Sequence, residues 1–289
     1  MPTNLPTNSL YFPHPSFVRL PVSETVLYDV QDGVATITLN RPESLNAMNP
    51  EMLATMFGVA EKASKDAGVR CVVVTGAGRA FSAGGDVKAM AQGNASGGRS
   101  EGAVGSAPSA GLRQQEEVSR LLQEMPKPTI AAINGVAAGA GLSVALAADL
   151  RVASDQARFT TAFAKVGFSG DFGGTWLLQR LVGPAKAKEL YFMSEIFPAQ
   201  RALELGLVTK VVPHDSLMDE TMALARRLAD GPTLAYGRMK DNFTYGATNS
   251  FSDALTREAE NMIASGQTED HKAAAQAFVE KREPRFSGR

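Results

Sequence analysis

Apolar and polar positions alternate with a period of two from Thr25 to Val30 and again from Val34 to Leu39, on either side of Asp32-Gly33. Two alternating runs joined by Asp-Gly predict a β-hairpin. The period then changes: Pro50 followed by Met52, Leu53, Met56, Phe57 and Ala60 predicts a helix with proline in its first turn. The apolar run Val69 to Thr75 predicts a buried strand. A second strand is predicted over Thr129 to Ile133, a small-residue helix over Gly139 to Ala148, and a third strand around Leu150 to Ala153. Strands alternating with helices place the chain in the α/β class with parallel pairing, where ligands gather at the points where strands end and helices begin.

Three segments break this pattern. Residues 1–22 are rich in Pro, Asn and Ser without periodicity, the pattern of an arm that docks elsewhere or stays mobile. Residues 93–111 are almost all small or polar and predict a mobile loop. From Pro198 onward the apolar positions, among them Leu217, Leu224, Leu228, Leu255, Met262 and Phe278, follow helical spacing. The expected organisation is therefore an arm (1–22), a core (23–197) and a helical region (198–289).

Composition narrows the function classes. Twenty-nine basic and thirty acidic residues leave a net charge of -1, without the basic excess that binding a phosphate backbone demands, so no nucleic-acid partner is expected. The single cysteine, Cys71, lies in an apolar strand and has no partner for a disulfide, which fits a reducing compartment. No membrane span and no targeting segment are expected, since apolar runs are too short and residues 1–20 carry four prolines and one basic residue. This points to a cytoplasmic protein. His14, His214 and His271 have no metal-ligand spacing, and no metal is expected.

Two glycine-rich turns carry the candidate chemistry. The first, Ser82-Ala83-Gly84-Gly85-Asp86-Val87-Lys88, follows the strand ending at Thr75; the second, Gly135-Val136-Ala137-Ala138-Gly139-Ala140-Gly141, follows the strand ending at Ile133. Each leads a strand into a helix, and helix N-termini present N–H groups without intrahelical partners. Two such donors converging on one oxygen would stabilise an oxyanion, worth roughly 3–4 kcal/mol per donor. Glycine and alanine here also serve tight turns and close helix packing, with Asp86 as a helix cap.

Taken together, the two turns resemble the crotonase superfamily, the enoyl-CoA hydratase/isomerase family. The likeness runs from Leu39-Asn40-Arg41-Pro42 through both turns to Gly173-Gly174-Thr175, Arg180-Leu181-Val182-Gly183 and Ala202-Leu203-Glu204-Leu205-Gly206-Leu207-Val208. The resemblance implies a ββα spiral core and a C-terminal helical region that builds trimers or hexamers. It also implies an acyl-CoA substrate with no separate cofactor, and an oxyanion hole made by the N–H groups of Ala83 and Ala140. Ser82, Gly84, Gly85, Asp86, Gly141 and Phe163 would line the substrate site. Lys88 and Arg41 stand where the family meets the CoA phosphates, with an exposed charge as the plain alternative.

The family's hydratases use two glutamates, and this chain has Ser143 and Phe163 in their places. Asp171, in Gly170-Asp171-Phe172-Gly173-Gly174-Thr175-Trp176, falls where one class of enoyl-CoA isomerases has its single acid. The wording is closest to ring-opening epoxyphenylacetyl-CoA isomerases. One carboxylate suits taking a proton from C2 of a thioester and returning it elsewhere; its plain alternative is an N-cap. The favoured expectation is an isomerase with Asp171 as proton carrier. A weakly active hydratase, a halobenzoyl-CoA dehalogenase-like enzyme and a silent CoA-binding homologue are the alternatives. Trp176 and Asp149 are expected to be structural.

Overall fold

The Asp32-Gly33 hairpin forms as the alternation predicts. In the computed structural model, which describes residues 24–87 and 108–289, strand β1 (Val26–Gln31) pairs antiparallel with β2 (Val34–Leu39). Asp32 and Gly33 have φ of 52° and 74°, the positive pair that lets a two-residue turn match strand twist. Strands β3 (Cys71–Gly76), β5 (Thr129–Ile133) and β7 (Leu150–Ser154) then add in parallel, and β10 (Lys210–Val212) closes the six-stranded sheet on β7.

Each of the middle strands is followed by a three-residue strand: β4 (Ala80–Ser82), β6 (Val136–Ala138) and β8 (Arg158–Thr160). These pair in parallel as a second sheet, finished by β9 (Phe197–Pro198) antiparallel to β8. The chain thus winds as a ββα spiral. The short strands were not legible in the sequence because three residues cannot display a period.

Helix α1 (Pro50–Lys65) starts where Asn49 accepts the Met52 N–H at 2.8 Å, an N-cap followed by proline at the first helical position. It is followed by α2 (Pro108–Gln115), α3 (Glu117–Glu124), α4 (Ala140–Ala147), α5 (Gly174–Val182), α6 (Pro184–Met193), α7 (Ala199–Glu204) and α8 (Leu217–Ala229). The chain then continues through α9 (Thr233–Gly246), α10 (Phe251–Gly266) and α11 (Glu269–Val279).

The middle strands of the main sheet are buried on both faces, and the strand period sorts their residues. Val72, Val74, Ala131 and Ile133 join the core built with α1, α3 and α4. Cys71, Val73, Ile130 and Ala132 join a second layer closed by Leu217, Ala225 and Ala229 of α8. Continuous apolar runs are what a doubly covered parallel strand requires. Burial also pushes the Cys71 thiol up to about 12, so it stays a neutral core group.

This layering corrects the expected boundary at residue 198. Strand β10 belongs to the main sheet and α8 covers it, so the core continues to about residue 229 and only α9–α11 form the appendage. Without α8 the apolar positions at Cys71, Val73 and Ile130 would face water. The expected 93–111 loop is corrected at its end, since 108–111 lie in α2; its remainder and the 1–22 arm lie outside the described residues. Among the described residues no helix is long and apolar enough to cross a membrane, and no cluster of His, Cys, Asp and Glu could hold a metal.

Candidate active site

Parallel pairing of β4, β6 and β8 sets their C-terminal ends side by side, so the two glycine turns become neighbours. Helix α4 begins at Ala140 with Gly139 as N-cap and no side-chain cap, which leaves its first N–H groups without intrahelical partners. Gly84 has φ +93°, and a Cβ there would lie 2.7 Å from the Ala138 carbonyl oxygen and 3.3 Å from the Ala140 nitrogen. Only glycine lets the first turn lie against the second. Gly141 serves the same approach from the other side, since a Cβ there would strike Ser82.

The expected donor pair needs one correction. The Ala83 N–H donates to the Leu45 carbonyl at 2.9 Å and is not available to a substrate. Two residues on, Met48 donates to the Gly84 carbonyl at 2.7 Å and Asp86 donates to the Met48 carbonyl at 3.2 Å. The Gly85 N–H between them makes no hydrogen bond among the described residues. Gly85 in the first turn and Ala140, the first residue of α4, thus each carry an N–H without a hydrogen bond among the described residues.

Ser82 is also corrected. It is fully buried, donates to the Asn46 carbonyl at 2.8 Å and accepts the Gly84 N–H at 3.1 Å, so its hydroxyl braces the turn and faces away from any ligand. Asp86 pairs with Arg41 at 3.3 Å, and Arg41 also donates to the Ala47 carbonyl at 2.6 Å. Arg41 is thus neither an exposed charge nor a ready phosphate ligand. Lys88 lies outside the described residues.

Two buried amides, missed by sequence reasoning, hold the turns from behind. Asn46 donates to the Ala77 and Ala80 carbonyls and accepts the Arg41 N–H. Asn134 donates to the carbonyls of Gly76, Gly78 and Ala80. Their signal was thin: single asparagines beside Gly and Ala read as turn formers.

Asp171 approaches from the third spiral turn. After β8 a short 3-10 helix (Phe163–Val166) buries Phe163, whose ring stacks on Tyr191 at 5.7 Å between centroids. A Cβ on Gly139 would sit 3.8 Å from that Phe163 ring, which ties the aromatic pair to the Ala140 turn. The Ser143 and Tyr191 hydroxyls meet at Gly174, where a side chain would collide with both. The Asp171 Oδ1 atom is buried and makes no hydrogen bond among the described residues. Helix α5 takes Gly173 as its N-cap without a side-chain cap, so Asp171 does not serve as one.

The electrostatics follow from this setting. Burial, with the negative charge of Glu116 adding to it, pushes the Asp171 carboxyl from 3.8 up to about 6; both effects disfavour the ionised form. Burial pushes the Tyr191 phenol to about 12, opposed by Ser143 and reinforced by the Asp171 charge. Tyr191 therefore remains a neutral hydroxyl, while Asp171 takes up and releases a proton near neutral pH.

Glu116 was not singled out from the sequence, where it is one acid among several on a helical stretch. Its Oε1 accepts the Phe172 N–H at 3.0 Å across 56 positions. The expected structural roles hold elsewhere. Asp149 accepts from the Thr129 N–H and pairs with Lys240 at 2.8 Å, and Trp176 packs on the core beneath the Arg180 guanidinium, 3.5 Å above its ring. Two clefts of about 610 and 630 Å³ open beside α9, but their acids Asp149 and Asp241 are held by Lys240 and Arg257.

Residues 29–289 match the family model described as Enoyl-CoA hydratase/isomerase. The chain is 38% identical over 269 residues to 1,2-epoxyphenylacetyl-CoA isomerase of Escherichia coli (strain K12), covering 92% of this chain and 99% of that protein. It is 37% identical over 258 residues to short-chain-enoyl-CoA hydratase of Clostridium acetobutylicum, covering 89% and 95%. Among solved structures, enoyl-CoA hydratase from Bacillus anthracis superposes with a TM-score of 0.83 at 30% identity, over 92% of this chain and 100% of that one. With the spiral core and both glycine turns in place, the chain belongs to the enoyl-CoA hydratase/isomerase family of the crotonase superfamily.

Proposed function

We propose that the protein is an acyl-CoA isomerase in which the N–H groups of Gly85 and Ala140 hold a thioester enolate oxygen and Asp171 carries the proton. The observation that carries this reading is Asp171 itself: a buried carboxyl oxygen without a hydrogen bond among the described residues, titrating near 6, on a chain that has no acid at either of the hydratase glutamate positions. Ser143 and Phe163 occupy those places, and neither deprotonates a water.

In the forward direction the Asp171 carboxylate takes a proton from C2 of a 3-enoyl thioester. The electron pair left by the C2–H bond spreads onto the thioester oxygen between the two N–H donors, each worth roughly 3–4 kcal/mol in the transition state. As the enolate collapses, a double bond forms between C2 and C3, the C3–C4 double bond opens, and the Asp171 proton moves to C4. The likeness to 1,2-epoxyphenylacetyl-CoA isomerase extends the reading to ring-opening substrates that pass through the same enolate. Coenzyme A is then part of the substrate, and no separate cofactor is required.

The hydratase names among the relatives favour one second reading, a weak hydratase. A dehalogenase reading fares worse, because those enzymes pair the aspartate with a tryptophan close to the position of Phe163, and phenylalanine cannot supply an indole N–H. Incubation with 3-enoyl-CoA and 2-enoyl-CoA thioesters, followed by mass spectrometry, separates the readings. Isomerisation leaves the mass unchanged and exchanges C2 hydrogen in heavy water, whereas hydration adds one water. Turnover of none of the thioesters removes both the double-bond isomerase and the hydratase readings and favours a silent CoA-binding homologue.

A further inference from the structure

We propose that Glu116 is the positioning residue for Asp171: by accepting the Phe172 N–H it fixes the turn that holds the Asp171 carboxyl toward Tyr191, and it sets a second negative charge beside that carboxyl. This rests on the role assigned to Asp171 above and adds to it a residue from a different part of the chain. Phe172 is buried with φ +50°, a left-handed conformation that a bulky aromatic residue adopts only when its surroundings enforce it. The Glu116 carboxylate provides that enforcement at 3.0 Å. The Asp171 carbonyl accepts the Gly174 N–H at 3.0 Å, so the Asp171 backbone is held from both sides.

Glu116 is well placed to act as an anchor. It stands at the junction of α2 and α3, where its own N–H donates to the Leu112 carbonyl and its carbonyl accepts from Ser119. The neighbouring charges on the same helices neutralise one another: Glu117 pairs with Arg113 and Arg120, and Arg120 also pairs with Glu124. Glu116 has no ion-pair partner among the described residues. From α6 the group facing Asp171 is Tyr191, held neutral by burial. Glu116 is accordingly the acid whose charge raises the Asp171 carboxyl, second only to burial.

Two substitutions separate the hydrogen bond from the charge. Glu116→Gln keeps an acceptor for Phe172 but removes the charge, so turnover should stay within about threefold while the acidic limb of the pH profile moves to lower pH. Glu116→Ala removes both, and kcat should fall roughly ten- to a hundredfold, the scale of a displaced catalytic group, with KM and Tm little changed. The Asp171 carboxyl is titrated directly by NMR of ¹³C-labelled aspartate in the wild type, in Glu116→Gln and, for assignment, in Asp171→Asn. A lower midpoint for Asp171 in Glu116→Gln supports the proposal. An unshifted midpoint, or Glu116→Ala with wild-type kcat, overturns it. Failure of the Asp171 reading is seen separately, as isomerisation that survives in Asp171→Asn.

Discussion

Replacing Asp171 with asparagine should make the protein more stable and nearly inactive at once. The carboxyl titrates at about 6 in the folded chain against 3.8 ordinarily, first because it is buried and then because Glu116 faces it. A carboxyl whose value is raised by folding binds its proton more tightly in the native state, so ionisation weakens the fold. That penalty is absent below pH 3.8, grows as pH rises toward 6, and is complete above it. At 1.36 kcal/mol per pH unit its ceiling is about 3 kcal/mol, and the part of the side chain that reaches solvent reduces it to about 1–2 kcal/mol. Asparagine has the same shape and no charge. Urea unfolding at fixed protein concentration should therefore show the variant about 1–2 kcal/mol more stable at pH 7.5, an advantage that shrinks to roughly a third of that by pH 4.5. Over the same samples, 3-enoyl-CoA turnover should fall about 10²–10⁴-fold. A variant as active as wild type removes Asp171 from the mechanism. A stability difference that does not change with pH removes the argument that its ionised form is held against its preference.

Three further outcomes follow from the same geometry. Gly84→Ala drives a Cβ to 2.7 Å from the Ala138 carbonyl at φ +93°; it should cost about 1–3 kcal/mol in thermal unfolding and most of the turnover, and wild-type activity would argue against contact between the turns. Asn134→Ala takes the shared donor from the carbonyls of Gly76 and Gly78, while Ala80 keeps Asn46, and denaturant titration should register a loss of about 1–3 kcal/mol. The appendage leaves Phe243, Phe251, Met262 and Phe278 exposed at 80, 80, 72 and 85%, and the trimers or paired trimers that the family resemblance implies would cover such side chains. Light scattering should give a trimer or a pair of trimers, and a monomer at micromolar concentration would refute it.

Local interactions made much of this protein readable before any tertiary contact was known. The Asp32-Gly33 turn, the Asn49-Pro50 start of α1 and the apolar run of β3 each follow from neighbours within a few residues, where backbone sterics, capping and side-chain period decide the outcome. The two glycine turns and the isolated acid at Asp171 were likewise visible as residue types in order. Other features depended on partners distant in sequence. Whether the N–H of Ala83 or of Gly85 is available turns on the Leu45 carbonyl, and the inward Ser82 hydroxyl on Asn46. The core extends past residue 198 because α8 must cover Cys71 and Val73. Glu116 reaches Phe172 only once α3 has packed on α4 and faces the start of α5 across a cleft. A hydrogen-bond donor looks the same in the sequence whether it is engaged or not, and only the packing of remote strands and helices brings, or withholds, the acceptor that decides it.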